Sequence, residues 1–210
     1  MSAVYERAAR GCVFLDRDGT LVEDHGYVHR PDDLRILSGV PEGLSALRQA
    51  GLWLVVVTNQ SGVARGYFSE AQVATFHAHL SAQLGPDAAP DAYYACPFHP
   101  EAVAARYRRD SQLRKPRIGM FELARRHFAI DVTRSFMVGD RWLDVEFAHN
   151  ACLRAILVGD SSEVHNVPPP NLQNAAYVRR PDFSSATQTI LTALAREGAD
   201  KLTSSVSPAD

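Results

Sequence analysis

The chain of 210 residues has few cysteines, little net charge and no long apolar run. Its cysteines, Cys12, Cys96 and Cys152, are odd in number and lie far apart, which argues against a disulfide framework or a close pair of metal ligands. No apolar segment approaches the roughly 20 residues needed to cross a bilayer, and the N-terminus lacks the apolar core of a signal peptide. We therefore expect a cytoplasmic protein with no membrane partner.

The composition is that of an ordinary globular protein, with 46% hydrophobic residues and a formal net charge of −2. Because no overall basic bias is present, we expect no nucleic-acid partner. The length suits a single domain, which we assign to residues 11–197. Residues 1–10 and 198–210 are predicted to be a flexible leader and a flexible tail, and we expect a monomer.

Short apolar runs alternate with amphipathic segments along the chain. Strands are predicted at 12–15, 52–57, 92–95, 135–138, 155–158 and 175–178. Helices are predicted to follow Pro41, Ser69 and Pro116 and to cover 142–150 and 183–196. Ser69 with Gln72 is typical of a capping box, and the unbroken apolar run 52–57 indicates a strand covered on both faces. The pattern predicts an α/β fold, a doubly wound (Rossmann-like) parallel sheet with helices on both faces.

Polar residues that are able to do chemistry follow three of the predicted strands. Asp16, Thr58 and Asp140 each stand at a carboxyl end, where open α/β sheets bind ligands. The alternative is an ordinary strand-to-loop turn, in which Asp and Gly are common. Two carboxylates brought together would suit Mg²⁺, while Lys115 and the Thr58 hydroxyl would neutralise and orient a phosphoryl group.

The spacing of Asp16 and Asp18 suits a two-step hydrolysis. Asp16 is a candidate nucleophile that would form an aspartyl-phosphate, which splits the reaction into two easier steps. Asp18 is a candidate proton donor to the leaving group, and would later take a proton from the attacking water.

These residues carry a resemblance to a known family. Residues 14–20, 57–59, Lys115 and 138–144 resemble, in order, the four motifs of the haloacid dehalogenase superfamily phosphatases. The resemblance implies a minimal cap and catalysis by Asp16, Asp18, Thr58 and Lys115. It also implies that Mg²⁺ is bound by Asp16, by Asp140 and by Asp18 through its backbone carbonyl.

Residues 24–29, 58–66 and 114–116 further resemble the D-glycero-D-manno-heptose 1,7-bisphosphate 7-phosphatases, and the histidinol-phosphate phosphatases share much of this pattern. The resemblance implies a small phosphorylated sugar as substrate, cleaved at its 7-phosphate. Arg114 would recognise the substrate, because a guanidinium can clamp the second phosphate. The implied substrate-site residues are Asp24, His25, Gly26, Tyr27, Asn59, Gln60, Ser61, Arg114 and Arg141.

One segment departs from the family pattern. Many relatives bind a structural zinc through C-x-H and C-x-C, but here Phe98 stands where the histidine after Cys96 is expected, and Ser111 and Leu113 replace the later cysteines. We predict no structural zinc, since one clear ligand of the four, Cys96, survives and a tetrahedral structural site needs four. His99 is either a substitute ligand or a solvated loop histidine. Residues 98–109 must then be held by packing or arginine contacts, or be mobile, which leaves the substrate open.

Alternative functions remain at this point. They are a phosphatase of histidinol phosphate, of another small phosphomonoester or of a nucleic-acid 3′-phosphate, and a phospho-accepting receiver domain. The absence of a basic bias disfavours the nucleic acid, and a proton donor beside Asp16 favours hydrolysis over a receiver. Asp144 is expected to orient Lys115 or the Asp140 loop, or to begin a helix. Arg65 is a surface charge or a substrate contact, and His77 a surface or packing residue.

Overall fold

The computed structural model describes residues 8–159 and 167–204. Its strands are β1 (Cys12–Leu15), β2 (Trp53–Asn59), β3 (Ala92–Cys96), β4 (Phe136–Gly139), β5 (Arg154–Val158) and β6 (Tyr177–Arg180). Its helices are α1 (Val40–Gln49), α2 (Ser61–Ala64), α3 (Glu70–Leu84), α4 (Gly119–His127), α5 (Trp142–Asn150) and α6 (Phe183–Ser204).

The strands form one six-stranded sheet in the order β3-β2-β1-β4-β5-β6, with every neighbouring pair parallel. The chain builds outward from β1 to β3, then crosses to β4 on the other side of β1. The topological switch point therefore lies between β1 and β4, where ligands bind in sheets of this kind. Leu15 pairs with both Val56 and Val138, so these three residues lie level with one another near the carboxyl ends of the three central strands.

Both faces of the sheet are covered. In β1, Val13 and Leu15 pack into a core shared with α1, α3 and α6, whereas Cys12 and Phe14 pack into a second core shared with α4 and α5. Successive side chains of a strand point to opposite faces, so a doubly covered strand needs apolar residues at every position. This accounts for the unbroken apolar runs and confirms the predicted α/β doubly wound sheet.

Most predicted elements are confirmed, and two boundaries shift near the site. The Ser69–Gln72 capping box opens α3, and β2 continues past the predicted apolar run to Asn59. The helix expected from Pro116 begins at Gly119, because tight turns occupy the preceding residues. In these turns the Arg114 amide donates to Ser111 and the Arg117 amide to Arg114.

Regular backbone pairing and helix extend beyond both predicted ends of the domain, whose bounds stay a prediction. Arg10, assigned to the leader, pairs its backbone with Ile130. The last helix is predicted to end near Arg196, but α6 continues to Ser204 and so includes residues 198–204 of the predicted tail. A single helical glycine, Gly198, costs only about 1 kcal/mol relative to alanine and does not stop the helix. The predicted leader at 1–7, the Asp160 turn and the tail at 205–210 lie outside the described residues.

The described helices and connections bear on two predictions, the absence of a membrane-spanning segment and the minimal cap. No helix in the part of the chain that the structure describes has the length and apolarity to cross a membrane. Between β1 and α1, and between β3 and α4, the described chain contains only turns, isolated bridges and the short 3-10 helices Pro31–Asp33 and Ala105–Tyr107. These connections match the minimal cap.

Candidate active site

The carboxyl ends of the central strands open into a cleft of about 300 Å³. Asp16 follows β1 directly, and its amide donates to the Val138 carbonyl of β4 at 2.9 Å, which places Asp16 at the switch point. The cleft is lined by Asp16, Asp18, Asp24, Gly26, Tyr27, Thr58, Asn59, Gln60, Ser61, Gly62, Lys115, Arg141 and Leu143. Most residues predicted from the sequence as site residues are therefore brought together here.

Lys115 is the central cation of the site and is only 3% exposed. Its Nζ lies 2.8 Å from Oδ1 of Asp16 and 2.6 Å from Oδ1 of Asp144. Burial disfavours the charged amine, but Asp144 and Asp16 outweigh this effect and raise the pKa of Lys115. The ammonium is therefore kept charged beside the candidate nucleophile, where it can attract phosphate oxygens.

Asn59 fixes the loop that delivers Lys115. Its Nδ2 donates to the Lys115 carbonyl at 3.1 Å, and its Oδ1 accepts from the Lys115 amide at 3.0 Å. A side-chain amide that satisfies both backbone groups of one residue acts as a local clamp. Asn59 lines the cleft as expected, and also has this structural task, which the sequence did not reveal.

Asp144 has two tasks, and both were among the alternatives left open by the sequence. One carboxylate oxygen accepts from Lys115, and the other accepts from the Arg141 amide at 3.2 Å as α5 begins. Burial raises the pKa of Asp144 to about 6, although Lys115 opposes the shift. A Cβ on Gly139 would come within 2.3 Å of this carboxyl group, so only glycine permits the close approach.

Asp16, Asp140 and Asp144 form an acidic cluster whose ligand atoms all lie within 4.8 Å of one another. Burial, Asp16 and Asp144 together raise the pKa of Asp140 to about 8. The buried Oδ1 of Asp140 has no hydrogen-bond partner among the described residues. An unpartnered carboxylate oxygen facing like charges is the environment that a hard divalent cation relieves, so the donor set fits Mg²⁺.

The backbone at Gly19 allows Asp140 to approach this cluster. Gly19 has a φ of +78°, and a Cβ there would come within 2.4 Å of Asp140 Oδ2. The Asp18 side chain is not part of this cluster, because its carboxylate accepts hydrogen bonds from Arg17 and Gln60. Its predicted contribution to the metal through the backbone carbonyl stays a prediction.

The Asp18 carboxylate accepts hydrogen bonds from two side chains. Arg17 donates to both of its oxygens at 2.6 to 2.9 Å, and Gln60 Nε2 donates to Oδ2 at 2.9 Å. Gln60 Nε2 also donates to Thr58 Oγ1 at 2.9 Å, which leaves the hydroxyl hydrogen of Thr58 available to a ligand. Burial raises the pKa of Asp18 against the opposing effect of Arg17.

Residues 22–30, the specificity turn, form the outer wall of the cleft. Asp24 Oδ1 accepts from the Gly26 amide at 2.8 Å, and its Oδ2 accepts from Arg141, which also lines the cleft, at 2.9 Å. Tyr27 has a φ of 58° and remains partly exposed in the wall. His25, although predicted as a site residue, does not line the cleft and instead contacts Glu23 at 2.8 Å.

Arg114 lies beside the cleft and is not one of its lining residues. Its Nη1 donates to the Phe98 carbonyl at 3.4 Å. Burial lowers the pKa of Arg114, and the nearby Arg65 adds to the effect. The Nε of Arg65 is itself buried without a hydrogen-bond partner in the described chain. The predicted clamp for a second phosphate thus lies on the flank of the cleft that faces residues 98–109.

Residues 98–109, the departing loop, are held by packing and arginine contacts. The guanidinium of Arg109 lies 3.6 Å from the Phe98 ring centroid, and Arg108 Nε donates to the Ala102 carbonyl at 2.8 Å. Tyr107 packs into a small apolar cluster with Phe68 and donates its hydroxyl to Glu70 at 2.7 Å. Packing and arginine contacts therefore both hold this loop, as the first of the two alternatives predicted.

We expect metal analysis of the purified protein to find no stoichiometric zinc. Cys96 is buried, and its Sγ lies 3.8 Å from the Phe98 carbonyl oxygen. Within residues 8–159 and 167–199, the acidic cluster is the one group of three or more potential ligands that converges. Elemental analysis after dialysis provides the test, and one zinc per chain would contradict the prediction. Substituting Cys96→Ser would then show whether this thiol holds the metal.

Comparisons with known proteins agree with this geometry. Residues 112–181 match a family model described as HAD-hydrolase-like. A D-glycero-beta-D-manno-heptose-1,7-bisphosphate 7-phosphatase from Photorhabdus laumondii is 45% identical over 139 residues, covering 65% of this chain and 73% of the relative. The protein of the same name from Escherichia coli K12 is 41% identical over 167 residues, covering 78% of this chain and 85% of the relative.

A solved structure extends the likeness to three dimensions. The D,D-heptose 1,7-bisphosphate phosphatase from B. bronchiseptica, complexed with magnesium and phosphate, aligns with a TM-score of 0.70 and 28% identity. The alignment covers 87% of this chain and 98% of the other. Sequence identity, fold and the convergence of the motif residues therefore agree: the chain belongs to the haloacid dehalogenase-like hydrolases and is a phosphoric monoester hydrolase.

Proposed function

We propose that the protein removes the 7-phosphate of D-glycero-D-manno-heptose 1,7-bisphosphate in a Mg²⁺-dependent reaction through an aspartyl-phosphate. The observation that carries the proposal is the convergence of Asp16, Lys115 and Thr58 in one cleft, with Asp18 beside them. The naming of the relatives as heptose bisphosphate phosphatases supports the choice of substrate.

In the first half-reaction, Asp16 attacks phosphorus. The carboxylate oxygen forms a bond to phosphorus while the bond from phosphorus to the sugar oxygen breaks. Asp18 donates its proton to that oxygen, so the sugar leaves as an alcohol. Lys115 and the Thr58 hydroxyl bind the non-bridging oxygens and stabilise the charge that they carry in the transition state.

In the second half-reaction, water hydrolyses the aspartyl-phosphate. Asp18, now ionised, takes a proton from the water molecule while the oxygen of that water forms a bond to phosphorus. The acyl-phosphate bond breaks, and inorganic phosphate and the Asp16 carboxylate are released. The contact of Lys115 with Asp144 gives the ammonium a second anchor, which would hold it in place while Asp16 is phosphorylated.

Asp16 and Asp140 are the side chains that would hold Mg²⁺, with the Asp18 carbonyl as the third protein ligand implied by the family motif. The ion would supply charge neutralisation between the nucleophile and the phosphoryl oxygens. Asp144 lies within the same cluster but is occupied by Lys115 and the Arg141 amide, which favours a supporting role.

The rest of the substrate would contact the specificity turn and the flank of the cleft. Asp24, Tyr27 and Arg141 line the cleft and would offer one acidic, one aromatic and one basic group to a polyol. Arg114 would reach the second phosphate from the flank of the cleft that faces the departing loop. His25 would contribute only if it turned away from Glu23, so its predicted role is the least supported.

A substrate panel tests the assignment. It compares both anomers of the heptose bisphosphate with fructose bisphosphate and histidinol phosphate, by phosphate release under Mg²⁺. We expect the highest kcat/KM with a heptose bisphosphate. A preference for histidinol phosphate would replace the proposed substrate while keeping the reaction. A single turnover that ends in a trapped phosphoprotein would favour the receiver-type alternative, which the matched hydrolase family does not support.

Replacing Arg114 by alanine is expected to lower kcat/KM for a bisphosphate by roughly 10- to 100-fold more than for an aryl monophosphate. The difference corresponds to the loss of charge-assisted hydrogen bonds to the second phosphate. Arg117→Ala is the matched control, because Arg117 lies on the same loop but pairs with the exposed Asp110. Equal losses on both substrates in Arg114→Ala would argue against the clamp.

A cytoplasmic monomer without nucleic-acid or membrane partners remains part of the proposal. Fractionation of cells that produce the protein tests the cytoplasmic location, and light scattering of the purified chain tests the monomeric state.

A further inference from the structure

Arg17 is a charged residue with no exposed surface, which is unusual and needs an explanation in its contacts. Its Nε and Nη2 donate to Asp18 Oδ1 at 2.9 and 2.6 Å, and Nη2 also reaches Asp18 Oδ2 at 2.8 Å. The same Nη2 donates to the Val28 carbonyl of the specificity turn at 2.7 Å. One guanidinium therefore joins the proposed proton donor to the wall of the cleft.

The other side of Arg17 is held by α3. Its guanidinium carbon lies 4.5 Å from the Phe76 ring centroid, and Nη1 lies 3.4 Å from His77 Nε2. Guanidinium nitrogens only donate, so His77 Nε2 is the acceptor. Burial and Arg17 lower the pKa of His77 to about 3, in keeping with a neutral imidazole. The His77 ring is stacked on Tyr93 at 4.4 Å, so this acceptor is itself held in place.

Contacts with neighbouring side chains fix the orientation of the Asp18 carboxyl group more tightly than its place in a turn alone would require. Four donor contacts from Arg17 and Gln60 hold its oxygens, while 21% of its side chain stays exposed in the cleft. Displacing a proton donor by as little as about 1 Å can cost about 100-fold in rate. The buried guanidinium can therefore control proton transfer without touching substrate.

We propose that Arg17 is a positioning residue that orients Asp18 for proton transfer and ties that orientation to the specificity turn through Val28. The inference rests on the proposed role of Asp18. In the first half-reaction the proton moves from Asp18 to the bridging oxygen as the phosphorus–oxygen bond breaks. The need for this proton depends on the leaving group: an alkoxide requires it, whereas 4-nitrophenolate departs without it.

The leaving-group dependence of kcat/KM tests the inference, since this constant reports the steps up to leaving-group departure. For Arg17→Met we expect a loss of roughly 100-fold with an alkyl phosphate and of less than about tenfold with 4-nitrophenyl phosphate. The Mg²⁺ concentration for half-maximal activity should stay unchanged. Equal losses on the two substrates would overturn the inference, because they would indicate a general structural defect.

A second pair of variants covers the case in which Arg17→Met does not fold. His77→Phe keeps the ring stacked on Tyr93 but removes the acceptor for Arg17, and should give a selective loss of about three- to tenfold with the alkyl phosphate. His79→Phe is the matched control, because His79 is exposed on the same helix and, among the residues that the structure describes, bonds only the Thr75 carbonyl. Identical behaviour of the two histidine variants would count against the inference.

Asp18→Asn separates failure of this inference from failure of the proposed function. If Asp18→Asn shows the selective loss and the Arg17 and His77 variants do not, the positioning role is wrong while Asp18 remains the donor. If Asp18→Asn itself shows no selectivity, the assignment of Asp18 fails, and the positioning role falls with it.

Discussion

Replacing Asp16 by asparagine is expected to abolish phosphate release, with kcat lowered by roughly 10⁴-fold or more. The amide is a poor nucleophile, so no covalent intermediate forms and both half-reactions stop. The fold should persist, because asparagine has nearly the same shape and Lys115 keeps its second partner, Asp144, at 2.6 Å. Phosphate release under saturating substrate and Mg²⁺ provides the measurement.

Two controls sharpen this prediction. Thermal unfolding should give a Tm for Asp16→Asn close to that of the parent chain, which shows that activity was not lost through misfolding. Rapid quenching of the parent chain with labelled substrate should trap an acid-stable phosphoprotein that is absent from the variant. Retained turnover in Asp16→Asn would remove Asp16 as the nucleophile.

Replacing Lys115 by methionine is expected to cause the largest combined loss of activity and stability. The lysine is the shared cation of Asp16 and Asp144, and all three groups are largely buried. Removing one partner from a buried charge network costs about 3–5 kcal/mol, since uncompensated charges remain. Loss of the positive charge beside the phosphoryl group should also lower kcat by roughly 10³-fold or more. Urea unfolding with metal chelated and phosphate release under Mg²⁺ measure the two effects.

A double variant separates the two roles of Lys115. Lys115→Met combined with Asp144→Asn removes both the cation and one of its anions, so much of the lost stability should return. Activity should not return, because the phosphoryl group still lacks its cation. Recovery of turnover in the double variant would assign Lys115 a purely structural task, and an unchanged free energy of unfolding in Lys115→Met would contradict the buried network.

Local patterns in the sequence were sufficient to predict the sheet. The unbroken apolar run of β2 predicts a buried strand, because a strand that is covered on both faces needs apolar residues at consecutive positions. The Ser69–Gln72 box likewise marked the start of α3, since its hydrogen bonds join neighbours in the chain. Asp16, Thr58 and Asp140 could be predicted to lie close together, because the carboxyl ends of parallel strands meet at the same edge of a sheet.

Interactions between distant residues could not be predicted in this way. The sequence offers no sign that Asn59 clamps the backbone of Lys115, that Asp24 pairs with Arg141, or that Arg17 is buried against α3. Each contact depends on how loops from different strands meet. The bond between the Arg17 guanidinium and the Val28 carbonyl forms only once the specificity turn has folded back on the sheet.

Composition, apolar runs and motif order were enough to identify a parallel α/β hydrolase and its candidate nucleophile, because those signals are local or follow from strand order. The extension of α6, the outward position of His25, the packing of the departing loop and the supports of Asp18 required the tertiary structure. They result from side chains competing for space and for hydrogen-bond partners across long stretches of chain, and spacing along a sequence does not encode the outcome of that competition.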